Sequence, residues 1–319
     1  MVMITIYIFG GFFIVKFFKW RRGLWLGLVL LIVGGVLGGC QSKSTTNSSA
    51  NKKLTVVTTT DFYGEVAKAV GGQHVKVTSV INNPSVDPHD YEPTSNVAKE
   101  VAAANVVIAN GLGYDGWMSK LVKNADQATY IKVGETVMGK KNGDNPHIWY
   151  NPQTMPVLAK YVAKQLSKQD PTHRKAYEAN AQKYIASLKP VQQKLTALQE
   201  LAKKTSNKTV FVSEPVFDYA LSAMGFKVGN RAFELAVENG SDPSPKIIKK
   251  MQADIKAHKI AFFVENKQVS DKIVTNMTKL AQQNNIPVLK VTETKPAHQT
   301  YKQWMLSQYT QLHQILTDK

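Results

Sequence analysis

Two histidines in this chain directly follow proline in short loops: Pro88-His89 within SVDPHDYEP and Pro146-His147 within NPHIWYNP. A lone imidazole is ordinarily a surface group or a satisfied core group. Two of them, each in a stiff loop beside the start of a helix, make a pair able to hold one transition-metal ion. Pro88 and Pro93 confine the first loop to extended or turn conformations, and Thr94 or Ser95 is placed to cap a helix over 96–104. The second loop, 140–145, is polar and leads to a helix predicted after Pro152. Asp87, Asp90 and Glu92 surround His89, where they could draw in cations or orient the ring through its second nitrogen.

An ion held between two halves of a chain needs donors from both. Glu214, in VFVSEPVFDYA, and Glu293, in VLKVTETKPA, each follow an apolar strand in the second half. Glu265, in FFVENKQ, also follows such a strand and is a rival fourth ligand or a group behind the ligands. A glutamate in this position otherwise serves the dipole of a following helix, so the histidines carry the case. The other histidines, His74, His173, His258, His298 and His313, are read as structural or solvent-facing. No HExxH, GxSxG or GxxxxGK[ST] run occurs, so zinc peptidase, serine hydrolase and nucleotide-driven chemistry lack their usual machinery.

Stepping outward from these residues, β-branched runs at 53–60, 75–81, 106–109 and 129–133 alternate with helix formers, which predicts a parallel-rich α/β lobe over 53–170. Ligands in such lobes collect at the carboxyl ends of strands, where His89 falls. Residues 171–205 are helix formers with Pro190 inside them, a rigid connector with a kink. The α/β rhythm then resumes over 206–319, with strands at 209–212, 227–232, 260–264 and 287–291 and helices around 217–224, 246–257 and 271–283 and from 300.

The chain begins differently. Residues 1–15 are apolar, 16–22 (KFFKWRR) basic and 23–39 apolar, ending in LGGC. This is a signal peptide over 1–39 whose last residues resemble a lipobox. Residues 1–14 are surplus to it; a start near Val15 is preferred to a two-span hairpin. Cys40, the single cysteine, excludes an internal disulfide and a cysteine-built zinc site, and is the expected lipidation point, with 40–52 a flexible tether. The formal charge of +17, from 40 Lys and Arg against 23 Asp and Glu, raises nucleic acid as a partner. The lysines are scattered over helix faces without interleaved aromatics, so no nucleic acid is expected.

DPHDYEPTSNVAKEVAAANVVIANGLGYD followed by NPHIWYNP resembles the zinc- and manganese-specific solute-binding lipoproteins of bacterial ABC importers, from about residue 53 to the C-terminus. The resemblance implies two α/β lobes joined by one long helix, with a metal in the cleft between them. It also implies that His89, His147, Glu214 and Glu293 are the ligands, Glu214 standing where many zinc members have a histidine. Further implications are a permease partner, attachment to the outer face of the cell membrane through acylated Cys40, and a monomer. The cargo is one divalent ion, Mn²⁺ slightly favoured over Zn²⁺, since 139–146 has no histidine-rich loop. The rival readings are a surface adhesin with an incidental metal and a metallohydrolase, and no enzymatic activity is expected.

Overall fold

The computed structural model describes residues 53–88, 91–269 and 271–318. His89, Asp90, Cys40 and the signal peptide and tether expected over 1–52 lie outside them.

Short apolar segments with β-branched residues form strands, the central ones of each sheet largely buried on both faces, as a parallel sheet covered by helices requires. The first lobe runs β1 (Leu54–Thr60), α1 (Asp61–Gly71), β2 (Val75–Ile81), α2 (Ser95–Ala102), β3 (Val106–Ala109), α3 (Gly116–Leu121) and β4 (Thr129–Lys132). Its sheet is parallel in the order β2-β1-β3-β4. Thr94 caps α2 by accepting from the Val97 amide.

Three helices follow, α4 (Thr154–Gln169), α5 (Arg174–Ser187) and α6 (Lys189–Lys204). The segment read as one connector is thus two helices meeting end to end at Leu188, with Pro190 in the first turn of the second. Proline fits there because the first-turn amides have no intrahelical partner. α5 packs on α4 and α1, whereas α6 packs on the last helix of the chain and on the helix after β5, so the chain crosses between lobes at this joint.

The second lobe runs β5 (Thr209–Val212), α7 (Asp218–Met224), β6 (Lys227–Val228), α8 (Arg231–Glu238), α9 (Pro245–Lys256), β7 (Phe263–Asn266), α10 (Lys272–Gln283), β8 (Val288–Val291) and α11 (Tyr301–Thr317). Its parallel order β6-β5-β7-β8 repeats that of the first lobe. The strand predicted over 227–232 ends at Val228. The Asn230 side chain takes over, accepting from the Val212 amide at 3.0 Å and donating to the Val212 carbonyl at 2.7 Å, which satisfies β5 and frees the chain to begin α8. The strand predicted over 260–264 is shifted to β7, two or three residues later.

One apolar core runs through both lobes, from Val56, Phe62 and Ile108 through Trp149 and Leu195 to Val212, Trp304 and Leu312. The start of α11 reaches into the first lobe: the Trp304 ring lies 5.8 Å from Phe62 and 5.5 Å from Tyr150. Tyr301 donates its hydroxyl to the Trp149 carbonyl (2.7 Å) and its amide to Glu65 Oε2 (2.8 Å). Lys295 pairs with Asp61 at 2.9 Å, again across the lobes.

The loop after β3 is the sharpest turn near the cleft. Gly111, Leu112 and Gly113 all have positive φ (78°, 57° and 86°), and the buried Asp115 carboxylate holds them by accepting from the Asn110 amide (2.6 Å) and the Gly111 amide (2.9 Å). A Cβ at Gly111 would lie 1.9 Å from Glu135 Oε2. Gly111→Ala is therefore expected to destabilise the protein by about 1–3 kcal/mol, the usual scale of such backbone strain. Urea unfolding checks this; an unchanged midpoint would show that the loop relaxes without cost.

Candidate metal centre

His147 sits in the short helical turn-in before α4 and is 0% exposed. Its backbone amide and its Nδ1 both approach Asn145 Oδ1, at 2.9 and 2.8 Å. An amide oxygen only accepts, so Nδ1 carries the proton and the lone pair is left on Nε2. Nε2 faces Glu238 Oε1 at 3.7 Å and Glu293 Oε1 at 3.9 Å.

Asn145 reaches further. Its Nδ2 donates to the Pro215 carbonyl at 2.7 Å, the residue after Glu214, and its own carbonyl accepts from the Tyr219 hydroxyl at 2.9 Å. One side chain thus fixes a first-lobe imidazole and the second-lobe turn that carries a carboxylate. Glu214 leaves the carboxyl end of β5, and its Oε2 accepts from Asn266 Nδ2 at 2.8 Å, at the end of neighbouring β7. β5 and β7 flank the point where the strand order reverses, the position at which α/β sheets open a crevice.

Glu293 follows β8. Its Oε1 accepts from the Tyr114 hydroxyl at 3.0 Å, so the glycine loop after β3 contributes a donor from the first lobe. The Glu293 amide donates to Gln268 Oε1 at 2.7 Å, and Gln268 Nε2 donates to the Pro84 carbonyl. Gln268 thereby ties Glu293 to the loop that leads to His89. Beyond burial, the charge of Asp87, two residues before His89, adds to the raised pKa of Glu214, Glu238 and Glu293.

The structure brings His147, Glu214 and Glu293 to one cleft and adds Glu238, which the sequence reading passed over. It does not bring Glu265 there. Asn266 turns toward Glu214, and strand alternation sends Glu265 to the opposite face of β7, in register with Lys290. Among the described residues, no three His, Cys, Asp or Glu side chains stand close enough to enclose an ion by themselves.

The missed pair, Glu238 and Asn145, differ in legibility. α8 carries Glu234 and Glu238 four residues apart, so reading FELAVE as a helix would have put both acids on one face. Asn145 gives no signal beyond standing before Pro146.

The electrostatics follow from crowding acids in a dry cleft. Burial first, and then the charge of Glu214, pushes Glu238 and Glu293 up to about 8. Burial likewise raises Glu214 to about 7, although the Asn266 hydrogen bond pulls the other way. Behind Glu238 the acids continue: Glu234 is raised to about 8 by burial and then Asp218, and Asp218 to about 6 by burial.

A family model described as "Zinc-uptake complex component A periplasmic" matches residues 56–315. The chain belongs to this family. Among curated relatives, it is 30% identical over 277 residues to the metal ABC transporter substrate-binding lipoprotein SloC of Streptococcus mutans, covering 80% of this chain and 85% of the relative. It is 28% identical over 284 residues to the manganese ABC transporter substrate-binding lipoprotein PsaA of Streptococcus pneumoniae, covering 82% and 86%. In fold it is similar to the Mn-bound periplasmic metal binding protein of Candidatus Liberibacter asiaticus (TM-score 0.65, 21% identity, 83% of this chain and 100% of that one). The periplasmic zinc binding protein TroA of Treponema pallidum gives a TM-score of 0.67 at 19% identity, over 83% and 99%. The two-lobed α/β architecture expected from the sequence is the architecture of this family.

Carboxyls whose pKa is raised on folding keep protons that the unfolded chain has already lost. Their stabilising contribution is complete below the unfolded value of about 4.5 and is lost as pH rises through the folded value of about 8. The melting temperature of metal-free Glu238→Gln should accordingly fall less steeply across that window than the parent's. Identical slopes would show that Glu238 does not share in the repulsion.

Proposed function

We propose that this protein captures one divalent transition-metal ion in the cleft between its lobes and delivers it to an ABC-type permease. The observation that carries the reading is the state of His147: a buried imidazole with Nδ1 locked on Asn145 and Nε2 turned toward two carboxylates. That arrangement presents a lone pair and negative charge to the same point. Capture replaces the water around the ion with the imidazoles of His89 and His147 and the carboxylates of Glu214 and Glu293, while Glu238 adds a further carboxylate, 3.7 Å from His147 Nε2. His89 is assigned by its Pro-His loop, and the tie that Gln268 makes between Glu293 and Pro84, earlier in that loop, supports the assignment.

The carboxylates also give the cleft its cation preference. Ionised together they repel; a divalent ion among them turns that repulsion into attraction, and binding displaces the protons the cluster otherwise keeps. Affinity is therefore expected to rise with pH. Oxygen-rich donation favours manganese, whereas the general order of divalent affinity favours zinc, so the choice between them rests on geometry and supply. Manganese is our reading, because Glu238 adds oxygen to the donor set.

We read the protein as a binding protein and not as a hydrolase: two imidazoles and the carboxylates of Glu214 and Glu293, with Glu238 beside them, occupy the positions a hydrolase keeps open for an activated water. We read the site of action as the outer face of the cell membrane, with acylated Cys40 as anchor and 41–52 as tether, consistent with the lipoprotein names of the relatives.

Competitive titration of metal-stripped protein with Mn²⁺ and Zn²⁺ tests the site. His147→Ala and Glu293→Gln should abolish tight binding, while Asn145→Ala, which frees the imidazole, should lower affinity about 10–100-fold. Unchanged affinity in the His147 variant, in a folded sample, would remove the cleft from consideration. Metal content of protein recovered from its own membrane then decides the cargo: one equivalent of manganese supports our reading, and zinc overturns the preference.

A further inference from the structure

A groove between α4 and α5 gathers cations that are scattered in the sequence. Lys160, Lys164 and Lys168 follow one another at four-residue intervals on α4, and Arg174 faces them from the start of α5. Ala163 and Ala181 form a shallow buried floor, and Glu178 is the one carboxylate lining the groove. All four cationic residues are exposed, and among the described residues none joins an ion pair. The nearby acid Asp170 is engaged elsewhere, by His173 Nδ1 at 2.6 Å and the Tyr177 hydroxyl at 2.7 Å.

The position of the groove gives it meaning. α4 starts beside His147 and descends to the amino ends of the first-lobe strands, where Gln169 Nε2 donates to the Asn105 carbonyl (3.0 Å) and to Thr129 Oγ1 (2.8 Å). Leu54, the first residue of β1, lies at the same end, since its neighbour Thr55 donates its amide to Asn105 Oδ1 at 2.8 Å. Exposed Lys53 and Lys76 stand at the starts of β1 and β2, which are in register from Leu54 and Val75. The folded chain therefore begins at a basic pole, and the metal cluster lies at the opposite, carboxyl ends of the strands. The 12 residues 41–52 reach roughly 40 Å at most, so an anchor at Cys40 keeps this pole close to the bilayer.

We propose that the α4–α5 groove and the pole around it dock on anionic phospholipid headgroups, holding the anchored protein with its metal cleft turned away from the bilayer until it engages the permease. The proposal rests on the reading that Cys40 is acylated and the chain exported. Each lysine or arginine close to an anionic surface multiplies partitioning by roughly five, so four of them suffice to bias a molecule that its lipid already holds nearby.

The test uses the full acylated protein in phosphatidylcholine vesicles with and without phosphatidylglycerol, labelled by an amine-acetylating reagent and read per lysine by mass spectrometry. Acetylation of Lys160, Lys164 and Lys168 should fall roughly fivefold or more with phosphatidylglycerol present. It should recover at about 1 M salt, where the screening length is about 3 Å, while Lys249 on α9 is unaffected. The double variant Lys164→Glu, Lys168→Glu should lose the protection yet keep metal affinity and vesicle attachment. Equal labelling in both vesicle types overturns the proposal. Protection by soluble poly(glycerol phosphate) but not by the vesicles also overturns it, in favour of a wall polymer. Failure to float with neutral vesicles tells against the acyl anchor alone; such unanchored protein must still bind phosphatidylglycerol vesicles, and if it does not, the groove proposal falls.

Discussion

Two carboxylates face one nitrogen of one buried ring and the charge of a third, Glu214, reaches both, and like charges so deeply buried cannot all be ionised without a cation among them. Much of the architecture serves to keep them from moving apart. Asn145 bolts the imidazole to the turn that carries Glu214, Tyr114 holds Glu293 from the other lobe, and Gln268 binds the Glu293 backbone to the loop leading to His89. Each is a neutral donor or acceptor, so none cancels the charge it positions. A lysine or arginine in any of these places would have relieved the repulsion and removed the attraction for a metal.

The joining of the two lobes has a separate cause. Helices and sheets in each half could form two independent cores, but the aromatic side chains at 149, 150, 301 and 304 knit them into one. Wide opening of the cleft would break that packing. The loops that carry the ligands are joined across the lobes by single hydrogen bonds, such as the tie between Gln268 and Pro84.

Much of the fold was legible because it rests on local pattern. The strands at 106–109 and 209–212 appear where apolar, β-branched runs put them, and Thr94 caps its helix as a threonine before a helical run should. His147, Glu214 and Glu293 could be singled out because proline or a strand end marks each. α8 was missed because Asn230 ends a strand by side-chain mimicry of a ladder, an event that depends on β5 being alongside. Glu238 went with it. Asn145 and Gln268 act through partners tens to hundreds of residues away, and no spacing in the sequence announces that. The lysines of α4 were read as scattered for the same reason: the groove exists only once α5 folds back beside them.

The core shared between the lobes also bears on how the molecule comes apart. The first-lobe aromatic cluster is completed by Trp304, a residue of α11 far along the chain from Phe62 and Trp149. Without that ring, Phe62 and Trp149 lack one wall of their pocket. Neither lobe keeps its main core whole when the other melts, so the two are expected to unfold in a single cooperative step.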